Sequence, residues 1–263
     1  MSHISKNKLL DVAVEAAIAS SNVIMGALNN PKKVSFKGRA DLVTTIDKDS
    51  ENIIKNIIKS FFPEHNFLAE ESGRDGNNSD FLWVIDPLDG TTNFVHNYPS
   101  FAVSIGLLYK KKPFISVVLE MPHVKLYSAI ASEGAFCEGS KISCSSTSKL
   151  VQSLLTTGFG YEHGDLWEKN MVLFKHFTDI TQGVRRLGAA AIDICHVADG
   201  KIDGFWEYDL YPWDTAAGIL IAKEAGCIIS NIKGENYNIY KDKNIIITNP
   251  FIYKSFLKEI QSI

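Results

Sequence analysis

The chain has 263 residues, 45% hydrophobic and 22% charged, with 27 Lys and Arg against 30 Asp and Glu for a formal net charge of −3. That is the composition of an ordinary globular protein, large enough to hide about 70–75% of its unfolded surface on folding. The near-balanced charge excludes nucleic-acid binding driven by bulk electrostatics and membrane attachment through a polybasic segment.

In chain order, the first predicted element is a helix over 6–28. Lys6 and Lys8 followed by LLDVAVEAAIAS imitate a secretory signal, but Asp11 and Glu15 interrupt the apolar run, which leaves an amphipathic helix. A second helix spans 48–61, with Ile53, Ile54, Ile57, Ile58 and Phe61 at helical spacing and Pro63 ending it. Short β-rich runs follow at 67–71, 81–86, 101–109, 114–120 and 125–131, and Gly134 and Gly139 mark a hairpin. The longest stretch free of charged residues, Gly90 to Tyr109, contains Asn93, His96, Asn97, Pro99 and Ser100 and would not cross a bilayer.

The second half reads as a strand at 153–157, helices at 165–178 and 188–199, a strand at 203–207, a helix at 213–225, strands at 227–231 and 244–248, and a final helix at 250–261. Helices and strands mix without strict βαβ alternation, which points to a layered α/β or α+β domain and away from a TIM barrel or a simple doubly wound sheet. No Pro-, Gly- or Ser-rich linker breaks the chain. It reads as a single unit over 1–263 with two halves, roughly 1–147 and 148–263.

Several local patterns imitate sites. Gly134 to Lys141 has the glycine spacing of a P-loop, but Ser140 precedes Lys141 and no helix follows, so a hairpin turn is expected. Gly158-Phe-Gly160-Tyr-Glu-His-Gly164 misses the dinucleotide fingerprint by one position. The seven histidines show no zinc spacing. Cys137, Cys144, Cys195 and Cys227 form no C-x-x-C pair and read as reduced thiols of a cytoplasmic protein.

The informative segment is WVIDPLDGTTN at 83–93. The pattern predicts a strand that delivers Asp86 at its end, with Pro87 stopping the pairing and stiffening the turn. Asp89 follows three residues later, so two carboxylates can converge. Gly90, Thr91 and Thr92 then offer backbone N–H groups and hydroxyls of the kind that hold phosphate. Oxygen ligands beside an anion cradle suit Mg²⁺, which takes one or two carboxylates together with substrate phosphate and water. The same residues also read as an aspartate-capped turn without a metal.

Other acids fall at element ends. Glu70 and Glu71 close an apolar strand, and Glu207 sits in an aromatic one beside Phe205, Trp206 and Tyr208, places where an unpaired carboxylate is costly. Asp41 and Asp47 flank LVTTI, and Asp214 opens an apolar helix. Asp47 and Asp214 read equally as helix N-caps.

Taken together, these motifs resemble the inositol monophosphatase family, and its bacterial SuhB-like branch in particular. The resemblance rests on WVIDPLDGTTNFVH at 83–96 and WDTAAGILIAKEAG at 213–226, supported by DLVTTID at 41–47, LAEES at 68–72, RRLGAAAID at 185–193 and DGFWEYDLYPWD at 203–214, and it runs from about residue 5 to 262. It implies a layered αβαβα sandwich, usually a homodimer, with Mg²⁺-dependent, lithium-sensitive phosphatase activity. Carried over motif by motif, Glu70, Asp86, the Leu88 carbonyl, Asp89 and Asp214 hold up to three Mg²⁺. Gly90 and Thr91 take the phosphate through backbone N–H groups, helped by the Thr92 hydroxyl. Asp47 with Thr91, together with Glu70, positions and deprotonates the attacking water, and no covalent phospho-enzyme is needed. The hydroxyls of the substrate meet Asp89, Ala190, Glu207 and Asp214.

The implied substrate is myo-inositol monophosphate or a related small polyol or sugar phosphate. The alternatives in the same fold are fructose-1,6-bisphosphate and nucleotide or NADP phosphates. A regulatory protein that joins the transcription machinery through protein contacts is the other class, with no direct nucleic-acid contact and no membrane partner expected.

Overall fold

The computed structural model describes residues 5–30, 34–36, 42–76, 79–161 and 163–263. Asp41, at the head of the DLVTTID motif, lies outside the described residues. The first half holds α1 (Lys6–Ala27), β1 (Val34–Phe36), β2 (Leu42–Thr44), α2 (Thr45–Phe61), β3 (Asn66–Ala69), β4 (Gly73–Asp75), β5 (Phe81–Asp89), α3 (Thr91–Val95), β6 (Phe101–Tyr109), β7 (Lys112–Met121), β8 (Lys125–Ile130), β9 (Gly134–Cys137) and β10 (Ser140–Lys141). After a 3-10 turn at Leu150–Gln152 come β11 (Leu154–Thr157), α4 (Asp165–Ile180), β12 (Gly183–Arg185), α5 (Ala190–Ala198), β13 (Gly204–Tyr208), α6 (Pro212–Glu224), β14 (Ile228–Ser230), β15 (Asn244–Thr248) and α7 (Tyr253–Gln261).

Among the described residues, the strands build an eight-stranded sheet in the order β10-β9-β8-β7-β6-β5-β3-β4, a five-stranded sheet in the order β12-β11-β13-β15-β14, and a small β1-β2 pair. The period of two along a strand sorts side chains between layers. On β5, Trp83 and Ile85 pack with α1 and α2, while Leu82 and Val84 join the core formed with α5 and α6. On β13, Phe205 faces the α5–α6 layer, and Trp206 faces the outer layer of α4 and α7 beside Phe177 and Phe256. The result is an αβαβα sandwich, with α5 and α6 between the sheets.

The first helix is long and apolar enough to pass for a membrane span by length and composition. Its Leu9, Val12, Ala13, Ala16, Ala17 and Ile24 are instead buried against α2 and the large sheet. Helix α6 lies unusually close to that sheet. A Cβ on Gly106 of β6 would come within 2.9 Å of the Ala216 backbone carbon and Cβ, so a glycine there lets α6 settle on β6 and brings Asp214 over the end of β5.

Two expectations are corrected. The strand carrying Asp86 does not stop there: β5 runs on to Asp89, and its pairing with β6 shifts register between Asp86 and Asp89. A bulge absorbs Pro87, whose missing N–H would otherwise break the ladder. Neither Asp47 nor Asp214 is an N-cap. Thr44 and Tyr211 hold those positions and both aspartates are the third residue of the helix, reaching back to the cap. The hairpin at Glu138-Gly139 forms with φ of 50° and 73°, the positive pair that a tight two-residue turn needs.

Candidate active site

The bulge in β5 is fixed from below. Ser50 Oγ donates to the Pro87 carbonyl at 2.7 Å and lies 2.6 Å from Ser20 Oγ, linking α1, α2 and β5 through buried hydroxyls. Asp86 is 3% exposed, and its Oδ1 accepts from the Leu88 N–H at 3.0 Å. The Glu70 carboxylate lies close enough to raise the Asp86 pKa. Glu70 is placed by its N–H, donated to Ile85 O at 3.2 Å, and by the next N–H, from Glu71, donated to Glu51 at 2.8 Å.

Asp89 ends the strand, and its Oδ2 accepts from the Ala191 N–H at 2.7 Å. The first turn of α5, where the helix dipole favours negative charge, thus holds one carboxylate oxygen. Asp47 is 1% exposed and shares its two oxygens between tasks. Oδ2 accepts from the Thr44 N–H at 2.8 Å and the Thr44 hydroxyl at 2.6 Å, which caps α2. Oδ1 accepts from the Thr91 hydroxyl at 2.8 Å, and that hydroxyl also stands 3.0 Å from the Leu88 carbonyl. The cap and the orientation of Thr91 therefore share one carboxylate.

Gly90 precedes α3 with φ 86° and ψ 38°, the left-handed region that a side chain resists. A Cβ there would stand 2.9 Å from Ser100 O and 3.2 Å from Ala189 Cβ. The Thr92 hydroxyl is buried without a hydrogen-bond partner among the described residues. Asp214 Oδ2 accepts from the Tyr211 N–H at 2.6 Å. Glu207 is 8% exposed and lies against Gly158, on the side of β13 that faces α5.

Burial first, and then the charges of Glu70, Asp89 and Asp214, push the Asp86 carboxyl well above the carboxylate range. Burial likewise pushes Asp89 up to about 7, against the pull of the Ala191 and Ala190 amides. It also lifts Asp214, helped by Asp89, Glu70 and Asp209, and lifts Glu207, helped by Asp193, Asp214 and Asp89. These carboxyls raise one another, while the Arg186 guanidinium draws Glu207 down by less than any one of those acids raises it.

Among the described residues, no three His, Cys, Asp or Glu side chains form a finished metal cage. Hard cations that keep water and take oxygen from their substrate do not need one. The donors are all oxygen, crowded and short of counter-charge, and they fit a divalent cation such as Mg²⁺.

A cleft of about 870 Å³ opens over these groups, lined by Glu70, Asp89, Gly90, Ala190, Glu207 and Asp214, with Arg186 and Lys243 among the residues around them. Of the predicted site residues, the first six of these, from both halves of the chain, line the cleft, while Asp47, Asp86, Leu88, Thr91 and Thr92 are not among its lining residues. Sequence reasoning passes over Asp193 of α5, which is fully buried with Oδ1 accepting from the Thr156 hydroxyl at 2.6 Å and Oδ2 unpartnered. A single carboxylate inside the apolar stretch AAAIDIC is the signal available for it. The Ser50 and Glu51 side chains act on backbone atoms of Pro87 and Glu71, pairings that no side-chain pattern reveals.

The chain matches the model of the inositol monophosphatase family over residues 5–263. It is 47% identical to the chloroplastic phosphatase IMPL1 of Arabidopsis thaliana over 98% of this chain and 71% of that one. It is also 47% identical to an inositol-1-monophosphatase of Synechocystis, over 84% of this chain and 78% of that one. The Nus factor SuhB of Salmonella typhimurium is 38% identical over 96% of both chains. Among solved structures, an inositol monophosphatase from Anabaena superposes with a TM-score of 0.86 at 39% identity, covering 98% of this chain and 96% of that one. A staphylococcal inositol monophosphatase, solved as an inhibitory complex soaked in LiCl, superposes with a TM-score of 0.85 at 26% identity, over 98% and 96%.

Proposed function

The chain belongs to the inositol monophosphatase family and is a phosphatase, and from that premise we propose that it is a Mg²⁺-dependent phosphomonoesterase acting on myo-inositol monophosphate or a similar small polyol phosphate. The observation that carries this reading is the cluster of Glu70, Asp86, Asp89 and Asp214 at an open cleft, where burial and the neighbouring acids raise the Asp86, Asp89 and Asp214 carboxyls. Glu70, Asp86, the Leu88 carbonyl, Asp89 and Asp214 would hold up to three Mg²⁺. Held there, it would supply a lowered water pKa and a counter-charge for phosphate and leaving group.

The chain's own residues supply position. The Gly90 and Thr91 N–H groups and the unpartnered Thr92 hydroxyl cradle the phosphate oxygens. Asp47 with Thr91, whose hydroxyl it holds at 2.8 Å, together with Glu70, positions the attacking water and takes its proton. Asp89, Ala190, Glu207 and Asp214 meet the hydroxyls of the substrate. The same reading carries lithium inhibition, a homodimer and a cytoplasmic location, the last supported by the four free cysteines.

Phosphate release from inositol 1-phosphate, fructose 1,6-bisphosphate and NADP, with and without Mg²⁺ and Li⁺, tests this function. Fastest turnover on inositol 1-phosphate, requiring Mg²⁺ and suppressed by Li⁺, is expected; equal rates in EDTA would refute it.

Glu207→Gln should raise KM or alter substrate preference by about tenfold, the scale of one hydrogen bond to a buried group, while Mg²⁺ affinity holds. Loss of Mg²⁺ binding, read by calorimetry, would put Glu207 among the metal ligands instead. Stability should follow pH in a defined way. The folded carboxyls keep protons that the unfolded chain releases near pH 4, so this contribution is complete below about pH 4 and is lost as pH rises through about 7, the Asp89 value. The Tm of EDTA-treated protein should therefore fall between about pH 4 and 7. Added Mg²⁺ should raise it more at about pH 8, where metal no longer competes with protons.

The relative named Nus factor SuhB supports a second reading, in which the chain also docks to transcription proteins. A pull-down from the native cell with an Asp86→Asn variant separates the roles, since partners retained by an inactive site mark docking as independent of catalysis.

A further inference from the structure

Residues 142–149 belong to neither large sheet and carry the chain from β10 of one to the 3-10 turn before β11 of the other. This segment passes between the ends of α5 and α6. A Cβ on Gly200, just past α5, would come within 3.2 Å of the Ser143 carbonyl oxygen and the Ser145 nitrogen. On the other side, the Cys144 N–H donates to the carbonyl of Ala225, the C-cap of α6, at 3.0 Å. The Cys144 sulfur lies 3.8 Å from where a Cβ on Gly226 would stand. Cys227 is the next residue, and its N–H turns back to donate to Ala222 O at 2.9 Å. Two cysteines far apart in the sequence therefore share one corner of the fold.

Both are partly exposed, whereas Cys137 and Cys195 are buried. Burial pushes the Cys137 and Cys195 thiols up, which keeps them unreactive. Cys227 draws the Cys144 thiol down to about 7, while Cys144 and then burial push the Cys227 thiol up. Cys144 is thus the thiol that ionises at neutral pH, where a thiolate attacks a disulfide most effectively. Neither residues 143–145 nor residues 225–227 line the carboxylate cleft, although α6 carries Asp214 at its other end.

We propose that Cys144 and Cys227 form a reversible disulfide that ties the segment between the two sheets to the end of α6, closed by a low-molecular-weight disulfide such as oxidised glutathione and opened by a dithiol. In the first exchange the Cys144 thiolate attacks one sulfur of the oxidant. A bond from Cys144 to that sulfur forms, the oxidant's own S–S bond breaks, and one glutathione thiolate leaves. In the second exchange the Cys227 thiol loses its proton and attacks the Cys144 sulfur, which expels the other glutathione. Both cysteine protons end on the two glutathione thiols, and the cysteines lose the two electrons that glutathione gains. Disulfides of reducing compartments are typically of this transient kind. The pair stands independently of the phosphatase reading.

The test incubates the native protein at about pH 7.5 with excess oxidised glutathione, maps its disulfides by mass spectrometry of unreduced peptides, and compares Tm with that of the reduced protein. A Cys144–Cys227 link in a protein lighter by two hydrogens, reversed by dithiothreitol, is expected. Its Tm should lie about 5 °C or more above that of the reduced form, because the link closes a long loop. Cys227→Ser, which cannot complete the second exchange, should instead retain glutathione on Cys144. Cys144→Ser should react about tenfold more slowly or less, having lost the attacking thiolate. No disulfide, a link through Cys137 or Cys195 instead, or a linked protein that melts no higher than the reduced one overturns the proposal.

Discussion

Asp89→Asn should abolish Mg²⁺-dependent phosphate release, lowering kcat by about three orders of magnitude or more, and should leave the fold intact. The size follows from charge: metal stabilisation of a phosphoryl transition state contributes several kcal/mol, and each 1.4 kcal/mol or so is tenfold in rate. The fold should survive because the amide keeps an oxygen to accept from the Ala191 N–H, now at 2.7 Å from the carboxylate. The variant also loses a buried acid whose pKa stands at about 7. Metal-free Asp89→Asn should therefore melt no lower than metal-free wild type at about pH 8, and the two should converge in Tm at about pH 4. A variant with near-normal turnover would remove Asp89 from the metal site. One that fails to fold would mean the carboxylate serves structure.

Gly90→Ala has the second-largest expected effect, and here activity and stability should fall together. Alanine would have to adopt φ 86° with its Cβ 2.9 Å from the Ser100 carbonyl and 3.2 Å from Ala189 Cβ. Left-handed strain and overpacking together cost roughly 2–5 kcal/mol, or a drop in Tm of about 5–15 °C for a chain of this length. To relieve the contact, the start of α3 must move away from α5, and the phosphate cradle moves with it. A loss in kcat of about a hundredfold, measured well below the Tm, is the expected outcome. Full activity with a lowered Tm would show that the Gly90 and Thr91 amides do not hold the reacting phosphate.

Long periodic segments are legible in the sequence itself. The isoleucines of α2 and the long apolar runs of β6 and β7 each allow only one helix face or one strand pattern, and those elements form within a few residues of their predicted bounds. Three-residue strands such as β4 and β12 and the five-residue α3 carry too few residues to show a period. The strand of Asp86 extends three residues beyond its predicted end, because a bulge accommodates the proline that reads as a stop. Asp47 and Asp214 carry the signature of caps, yet each helix begins earlier and their carboxylates reach back from the third position.

At the site, residue type nominates acids but does not rank them. Asp193 is buried as deeply as Asp47, and nothing next to it in sequence marks chemistry. The charges of Asp86, Asp89, Asp214 and Glu207 act on one another only once β5, β13 and α6 are folded together. A net charge of −3 conceals that cluster.

Metal-dependent hydrolysis at this cluster is tested most directly by phosphate release from inositol 1-phosphate, with metal-stripped protein to which Mg²⁺ is restored. Activity absent in EDTA, rising and saturating with Mg²⁺, and absent from Asp89→Asn at every Mg²⁺ concentration is the predicted result. Turnover by the stripped enzyme, or a Mg²⁺ response that Asp89→Asn shares with wild type, would contradict it.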